Sequence, residues 1–350
     1  MVTDELAAEE TPRGAAPRAT LAEIAALARV SIATVSKVLN GRDGVSEETR
    51  SRVDALLGEN NYSRRTRTHL PAPLIEVLCF DIAHAFSASM IAAIERAVRA
   101  QGMGLVVTGA DADHRPAASW ADDVIHRQPR GVILLMSELS ARVATRLRSR
   151  ELPIVTINPF GAPPKETTTI GSADWDGGYA ATRHLLELGH RRIAIIKGPE
   201  GMRASAQRLA GYRTAMETAG IRVRPEWIKP GRFIHSDGYE QGRALLELPD
   251  RPTAIFGSSD LQALGVYDAA RAMGLDVPGD VSVVGYGDLS NAESASPPMT
   301  TVHVPIDAMA EQALSLVTAQ REQLDLPARR VDLPVSLKVR ASTAPPAAAP

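Results

Sequence analysis

The residues with the clearest chemistry lie on one face of a short predicted helix near the N-terminus. That face consists of Ile32, Ala33, Ser36 and Lys37. The opposite face is apolar at helical spacing, with Val35, Val38 and Leu39. When such a helix follows another across a tight turn, its N-terminal residues meet base edges in the DNA major groove, where small, polar and basic groups fit. The pattern predicts a DNA-reading helix, although an ordinary helical hairpin has the same spacing.

Hydroxyl side chains mark where three short helices begin around this face. Thr20, followed three residues later by Glu23, predicts a capping box on the first helix, and Ser31 predicts the cap of the second. Ser46 takes the same place before a third helix. The apolar positions of that helix are Val53, Leu56 and Leu57. The sequence therefore predicts an all-α helix-turn-helix unit that begins at Thr20, with three helices on a shared core.

A basic segment follows this unit. Arg64, Arg65 and Arg67 lie between residues 60 and 70 with no acidic residue among them. The whole chain of 350 residues has a formal net charge of −2 and a sequence pI of about 6.5, which argues against a protein that coats nucleic acid through its overall charge. We therefore expect local DNA contacts from these arginines, with a solvated linker as the alternative.

The sequence lacks the motifs of common catalytic sites. It contains no G-x-S-x-G elbow, no G-x-x-x-x-G-K-[ST] loop, no H-E-x-x-H pair and no clustered Cys and His. The single cysteine, Cys79, lies in an apolar run typical of a strand, so there is no disulfide framework. We expect no enzyme activity, no metal and no cofactor. There is no signal-peptide pattern and no apolar run of about 18 residues, which predicts a cytoplasmic protein without a membrane partner.

Strand-like runs alternate with amphipathic helix-like stretches along the rest of the chain. Strands are expected at 74–80, 104–108, 131–136 and 154–157, with helices near 89–101, 120–127 and 141–150. After a loop at 158–169 the alternation resumes, with helices at 176–188, 208–219 and 261–273 and strands at 193–196, 254–256 and 281–284. This rhythm is typical of two parallel sheets with helices on both faces. Two such lobes form a cleft that would suit a binding protein or an enzyme.

Several motifs resemble those of the lac-repressor/galactose-repressor family of bacterial transcription factors. Near the N-terminus they are TVSKVLNG at 34–41 and VSEETR at 45–50. In the body they are TRHL at 182–185, LGHRRIA at 188–194, RLAGY at 208–212, SDLQALG at 259–265, VSVVGYGD at 281–288 and SPPMTTV at 296–302. The resemblance implies a LacI-type headpiece joined to a two-lobed, periplasmic-binding-protein-like sugar sensor. It implies a transcriptional repressor, with a stand-alone sugar-binding protein or a sugar-active enzyme as alternatives.

The domain boundaries follow from these motifs. We expect a disordered tail at 1–19, the headpiece at 20–62, a short basic hinge at 63–73, the sensor at 74–343 and a disordered tail at 344–350. The first lobe is expected at 74–158 and 304–326, and the second at 159–301 and 329–343. The family's three lobe crossings would fall near Asn158, near 289–290 and near His303. The hinge is shorter than in the family, and Pro71 and Pro73 limit any helix there.

The resemblance also implies which residues touch DNA. The family's base-reading positions fall on Ile32, Ala33 and Lys37, of which Lys37 can donate to guanine while the other two offer apolar contact. The candidates for phosphate contact are Thr20, Ser31, Thr34, Asn40, Ser46 and Thr49, and Ser36 and Tyr62 belong to the same interface. Where the hinge departs from the family, we expect Arg64, Arg65 and Arg67 to follow phosphates or to enter a narrow minor groove.

For the cleft, the resemblance implies a small sugar effector. The residues that match the family's effector positions, or lie next to one, are Asn158, Arg208, Asp260 and Asp288. Phe86 and Trp175 are candidates for ring stacking because aromatic residues are only 4% of the chain and these two lie in predicted loops. The Arg208 guanidinium suits adjacent hydroxyls, and the rings of Phe86 and Trp175 suit the face of a sugar, with core packing as their alternative role. The family's acidic contact usually lies one residue before Asp288, where this chain has Gly287.

The expected partners are operator DNA, a second copy of the chain and a sugar such as xylose or a plant oligosaccharide. No leucine heptad follows the body, so a homodimer is expected rather than a tetramer. Effector binding and operator binding should be coupled, and the sequence leaves open whether the effector releases or recruits the operator.

Overall fold

The computed structural model describes residues 20–39, 44–59, 72–161, 167–322 and 327–347. Internal contacts divide the chain into two units, residues 1–70 and 71–350, and each is described by itself. The predicted tail at 1–19 and nearly all of the predicted hinge at 63–73 lie outside the described residues.

The headpiece consists of three helices, each capped as the sequence predicts. They are α1 (Leu21–Ala28), α2 (Ile32–Leu39) and α3 (Glu47–Glu59). The hydroxyl of Thr20 accepts from the backbone N–H of Glu23 at 3.3 Å, and the Glu23 carboxylate accepts from the N–H of Thr20 at 2.5 Å, which completes the capping box. Ser31 and Ser46 each accept from the backbone N–H three residues on, at 3.1 and 3.4 Å. The predicted helix starts are therefore confirmed.

The headpiece core is small and takes residues from all three helices. Ile24, Val35 and Val53 are fully buried, one from each helix. Leu56 and Leu57 pack against them and are partly buried. Because apolar burial in so small a core is limited, each of these side chains carries a large share of the headpiece's stability.

The sensor begins with alternating strands and helices. In chain order these are β1 (Leu74–Cys79), α4 (Ala85–Ala100), β2 (Gly104–Gly109), α5 (Trp120–Arg127), β3 (Gly131–Leu135), α6 (Ala141–Arg148), β4 (Ile154–Ile157) and β5 (Thr168–Ser172). Next come α7 (Asp174–Glu187), β6 (Ile193–Ile196), α8 (Arg203–Thr218), a 3-10 turn (Pro225–Trp227), β7 (Ile228–Lys229), α9 (His235–Leu246), β8 (Ala254–Gly257), α10 (Asp260–Ala272), β9 (Ser282–Gly287), α11 (Ser290–Glu293) and β10 (Thr300–His303). The chain ends with α12 (Ile306–Glu322), β11 (Arg330–Leu333) and β12 (Ser336–Lys338).

These strands form two six-stranded sheets. The first has the order β11-β5-β4-β3-β1-β2, and the second has the order β12-β10-β9-β8-β6-β7. The pairs are parallel except for β10 with β12, which are antiparallel. The two predicted parallel lobes are therefore confirmed, and Cys79 is fully buried in β1 as expected.

The first lobe crossing lies later than the sequence suggests. The predicted boundary at Asn158 is wrong, because β5 still pairs with β4 in the first sheet and the chain crosses at Ala173. The segment before β5 is rich in Pro, Gly and Thr, and its composition predicts a loop throughout. However, Thr168, Thr169 and Ile170 are β-branched and buried, and burial between neighbouring strands favours an extended backbone there.

The other two crossings also differ from the expected positions in part. No crossing occurs at 289–290, since β9 and β10 are neighbours in the second sheet with α11 between them. The crossing after His303 is confirmed, because α12 packs on β3 and β4. The third crossing lies at 334–335, and β11 pairs with β5, so residues 330–333 belong to the first lobe rather than to the second as predicted.

The ordered chain extends beyond the predicted end of the sensor at residue 343. The Ala344 N–H donates to Ser282 Oγ at 3.0 Å, and its carbonyl accepts from His190 Nε2 at 2.9 Å. Burial lowers the pKa of His190, which favours the neutral ring in this contact. The C-terminal segment is thus fastened to the second lobe through at least residue 344.

Glycines allow two helix pairs of the second lobe to approach closely. A Cβ on Gly178 of α7 would lie 2.3 Å from the carbonyl oxygen of Arg208 on α8. A Cβ on Gly238 of α9 would lie 2.1 Å from the carbonyl oxygen of Gln262 on α10. These contacts fix where α8 and α10 lie, and so position Arg208 in the second turn of α8 and Asp260 at the start of α10.

Candidate functional site

The headpiece exposes the face that was predicted to read DNA. Ile32 has 53% of its surface exposed, and Ala33 and Lys37 are exposed beside it, while Val35 on the opposite face is fully buried. An exposed isoleucine at the start of a helix suits apolar contact with a thymine methyl, and Lys37 suits a donor role toward guanine.

Three of the hydroxyls predicted to face phosphates, those of Thr20, Ser31 and Ser46, cap the helices, and those of Thr34 and Thr49 contact the caps. Ser31 and Thr34 hydroxyls lie 2.9 Å apart, and the Ser46 hydroxyl donates to Thr49 Oγ1 at 2.8 Å. Thr20 Oγ1 donates to Glu23 at 2.9 Å. Five predicted DNA contacts lie outside the described residues: Asn40, Tyr62, Arg64, Arg65 and Arg67.

The sensor contains a cavity of about 520 Å³, part of it open to solvent, between the cleft edges of its two lobes. Both lobes contribute to its lining. The first lobe gives His84, Ala85, Phe86, Met136 and Asn158; the second gives Met202, Ala204, Arg208, Phe233, Ser259, Asp260, Leu261, Tyr286, Gly287 and Leu289; Val304 lies at the crossing. The cavity therefore combines aromatic faces with a few polar groups, an arrangement typical of a small-molecule site.

Arg208 is held rigidly in the wall of this cavity. Its Nε donates to Asp174 Oδ1 at 2.8 Å, its Nη1 donates to the Ser258 carbonyl at 2.6 Å, and its guanidinium lies 3.6 Å from the ring centroid of Tyr286. Burial opposes the charge, but the carboxylate of Asp174 raises the pKa of Arg208 overall. A fixed cationic group with its plane set by an aromatic ring is thus available to orient a ligand.

Asp260 is the buried acid of the cavity. It begins α10 after the cap Ser259, whose Oγ accepts from the N–H of Gln262 at 3.2 Å. Its carboxylate accepts from Thr301 Oγ1 at 2.5 Å and from the N–H of Leu289 at 2.8 Å. Burial raises the pKa of Asp260 to about 6, against the opposing effect of these two hydrogen bonds. The carboxylate is therefore protonated more readily in mild acid than that of an ordinary aspartate.

Asn158 and Phe86 complete the set of predicted residues that meet in the cavity. Asn158 is buried and has φ of 47°, and its N–H donates to the Ile170 carbonyl at 2.9 Å. Phe86 lies in the first turn of α4, and its N–H donates to Nδ1 of the capping residue His84 at 3.3 Å. The left-handed backbone at Asn158 suits an amide side chain better than most others.

Comparisons with known proteins support this organisation. The description "Bacterial regulatory proteins, lacI family" matches residues 20–65, and "Periplasmic binding protein-like domain" matches residues 182–343. The HTH-type transcriptional repressor PurR of Escherichia coli O139:H28 (strain E24377A / ETEC) is 34% identical over 304 residues, which is 85% of this chain and 89% of that protein.

The chain belongs to the lacI family. Two solved structures agree over most of its length. A transcriptional regulator CelR-cellobiose complex has 32% identity and a TM-score of 0.70, covering 93% of this chain and all of that one. The lac repressor dimer bound to operator and the anti-inducer ONPF has 26% identity and a TM-score of 0.68, covering 94% of this chain and all of that one. This lacI-family chain is a DNA-binding transcriptional repressor with a ligand sensor domain, not an enzyme.

Two predicted effector residues of this lacI-family sensor are not among the cavity lining. Trp175 lies on α7 and stacks on Tyr179 of the same helix, with ring centroids 5.2 Å apart. Asp288 has φ of 56°, and its carboxylate accepts from Arg340 Nη2 at 2.7 Å and pairs with His303 Nδ1 at 3.0 Å. The Trp175 ring lies along its own helix, and Arg340 and His303 hold the Asp288 carboxylate, so that contact of either side chain with an effector stays a prediction.

Sequence reasoning missed several lining residues. Phe233 is buried with φ of 68°, and its carbonyl accepts from Ser259 Oγ at 3.1 Å and lies 3.4 Å from His84 Nε2. Tyr286 lies inside β9, in the GYGD motif that drew attention only to its acid. Asp174, which orients Arg208, starts α7 directly after a lobe crossing. Aromatic residues make up only 4% of the chain, and this scarcity could have marked Phe233 as a candidate lining residue.

Among the described residues, no group of three or more His, Cys, Asp or Glu is placed to hold a metal ion. A search of the same residues found no helix that is both long enough and apolar enough to span a membrane.

Proposed function

We propose that this repressor regulates carbohydrate-utilisation genes and that a small sugar bound in the sensor cavity controls its operator affinity. The supporting observation is the pairing of three aromatic rings, Phe86, Phe233 and Tyr286, with the polar groups of Arg208 and Asp260 in one cavity. Aromatic faces cover the C–H surface of a sugar, while a guanidinium and a carboxylate serve neighbouring hydroxyls. One similar solved structure is a complex with cellobiose, and xylose and plant oligosaccharides are the other sugars we propose.

The repressor acts as a homodimer that places two headpieces on a pseudo-palindromic operator. Ile32, Ala33 and Lys37 read bases, and the helix-capping hydroxyls and Ser36 lie near the sugar-phosphate backbone of the DNA. The basic segment with Arg64, Arg65 and Arg67 follows phosphates or enters a narrow minor groove. Because its target is genomic DNA of a bacterium, we place the protein in the cytoplasm.

Effector and operator then affect each other through the sensor. A ligand changes the operator affinity only to the extent that it binds one conformation better than the other, and the operator changes ligand affinity by the same factor. Titrating the sugar with and without operator, and the operator with and without sugar, should therefore give two equal ratios.

The first experiment is a thermal-shift screen of the full chain against xylose, cellobiose and larger plant oligosaccharides. A ligand at a hundred times its Kd stabilises the folded state by about 2.7 kcal/mol, which gives a readable rise in Tm. Phe233→Ala should abolish the shift, and Trp175→Ala, outside the cavity, should keep it. The screen also includes flat nitrogen heterocycles, since they too stack on aromatic rings. A rise in Tm with a heterocycle and with no sugar would contradict a sugar effector.

The second experiment tests the DNA role of the basic segment. Operator DNA is selected from a randomised pool, and affinity is measured by fluorescence anisotropy over a range of salt. Alanine at Arg64, Arg65 and Arg67 together should weaken binding and reduce the salt slope by about 0.9 for each phosphate that is no longer neutralised. An unchanged slope would rule out phosphate contacts by these arginines.

A further inference from the structure

A second set of aromatic residues lies next to the cavity but not in its lining. His114 is sandwiched between Phe80 and Phe160, with ring centroids 3.7 Å away on each side and an angle of 10° between His114 and Phe160. All three rings come from the first lobe, at the ends of β1, β2 and β4 that face the cleft. The centroid separations show that the His114 ring packs directly against both phenylalanine rings.

The loop that carries His114 is braced from several sides. His114 Nδ1 donates to the Met136 carbonyl at 2.9 Å, and the His114 carbonyl accepts from the N–H of Glu138 at 2.9 Å. Arg115 Nε donates to the Glu138 carboxylate at 2.7 Å. The imidazole therefore has a fixed position, with φ of 62° at its own backbone, and presents a flat surface to Phe160.

Phe160 in turn reaches the second lobe. It forms an isolated antiparallel bridge with Met202, and the N–H of Gly161 donates to the Gly201 carbonyl at 3.0 Å. A Cβ built on Gly201 would lie 3.5 Å from the Phe160 ring, so the ring rests on this glycine, whose φ is 83°. Backbone and ring contacts thus join the two lobes at one rim of the cleft.

The bridge is connected to two walls of the cavity. Met136, whose carbonyl holds His114, lines the cavity from the first lobe, and Met202, which pairs with Phe160, lines it from the second. Neither Phe160 nor His114 is among the lining residues. A change at Phe160 would therefore alter how the lobes meet without removing a group that touches the ligand.

We propose that Phe160, supported by His114, is a positioning residue of the sensor: it latches the two lobes together and so sets the fraction of molecules whose cavity is assembled. This proposal shares one assumption with the proposed function, namely that the effector favours closure of the lobes. Since apparent affinity falls in proportion to the fraction of competent molecules, the latch raises effector affinity without touching the effector.

The experiment measures lobe separation in the full chain without DNA or ligand. Cys79 is the single cysteine and is buried, so Ala141→Cys on α6 and Ser236→Cys on α9, both exposed helix starts, accept spin labels selectively. Double electron–electron resonance then gives the distribution of distances between the lobes. We expect Phe160→Ala to reduce the ratio of short to long distances by about tenfold, the size expected for the loss of one aromatic pair and its neighbouring packing.

Three further variants make the result specific. Phe160→Tyr keeps the ring and should restore the distribution, and His114→Ala should shift it in the same direction as Phe160→Ala while leaving residue 160 intact. Trp175→Ala removes the stack on Tyr179, which lies within one lobe, and should leave the distribution unchanged. Far-UV circular dichroism checks that each variant is folded.

The outcomes separate the latch from the proposed function. A Phe160→Ala distribution identical to that of the unsubstituted protein, or an equal shift with Trp175→Ala, would overturn the latch whatever the effector is. A shift specific to Phe160→Ala and His114→Ala supports it, even if no sugar raises the Tm in the screen. If both variants shift the distance distribution and no sugar raises the Tm, the latch is supported and the carbohydrate proposal fails.

Discussion

The headpiece places the side chains predicted to read bases on one helix of eight residues, Ile32–Leu39, whereas the sensor draws its cavity from segments as far apart as His84 and Val304. In the headpiece, a cap and a spacing of three or four residues fix which side chains share a face. In the cavity, neighbouring side chains come from different strand ends and depend on two lobes meeting. The effect of a substitution in the headpiece should therefore be confined to the headpiece, while a substitution of one buried group of the sensor should affect the whole cavity.

The largest expected effect comes from Asp174, the partner of Arg208. Asp174→Ala leaves a buried guanidinium without its carboxylate, and losing one partner of a buried ion pair costs about 3–5 kcal/mol. We expect the sensor to lose stability by this amount in urea unfolding and to lose effector binding. Asp174→Ala combined with Arg208→Met should recover stability but not binding. Asp176→Ala, exposed on the same helix, is the control; an equal loss there would show that the helix start and not the ion pair is responsible.

A slightly smaller effect is expected from the headpiece core. Ile24→Ala should remove about 2–5 kcal/mol, because it deletes a fully buried side chain from a core with few others. Operator binding should be lost, while the melting transition of the sensor and its effector binding stay as they were. Leu27→Ala, with 56% of the leucine exposed on the same helix, should change little. A sensor transition that moves with Ile24→Ala would contradict the independence of the two regions.

The pH dependence of the sensor provides a third test. Because the pKa of Asp260 is about 6 in the folded state against 3.8 ordinarily, its contribution to stability is fully present below pH 3.8 and is lost as the pH rises through 6. Relative to Asp260→Asn, the unsubstituted chain should lose stability between about pH 4 and 6, by about 1.4 kcal/mol per pH unit at most. Urea unfolding at several pH values measures this difference. A difference that does not vary across this window would show that Asp260 is not desolvated.

The smallest effect concerns a single base contact. Lys37→Ala should weaken binding to the selected operator by about 1–3 kcal/mol and relax the preference for guanine at one position in each half-site. Arg52→Ala on α3, which removes the same charge from another exposed side chain, should not relax that preference. Uniform weakening across all sequences would mean that Lys37 contacts phosphate. Effector binding should not change in either variant.

The same contrast explains which features could be read from the sequence. The headpiece helices begin at Thr20, Ser31 and Ser46 as predicted, because a capping hydroxyl and the residue three positions later interact within one turn. The strands of the sensor were also placed closely, since buried parallel strands appear as short apolar runs.

The sensor's connections and its cavity could be read only in part. β5 begins inside a segment with loop composition, and only its pairing with β4 and β11 makes it a strand. The motif predicts Asp288 near the effector, but the direction of its side chain depends on Arg340, which lies 52 residues away. Trp175 follows the same logic: its aromatic type suggested a ring for stacking, and its helix directs it to Tyr179 instead.

The order of strands in the first sheet also has a consequence for synthesis on the ribosome. β11 and the packing helix α12 complete the first lobe, yet both are made only after all of β6 to β10. The nascent chain must therefore keep an unfinished first sheet, with the edge of β5 unpaired, while the second lobe emerges. An unpaired strand edge can pair with other chains. We therefore expect the nascent protein to need chaperone protection most during the translation of residues 173–329.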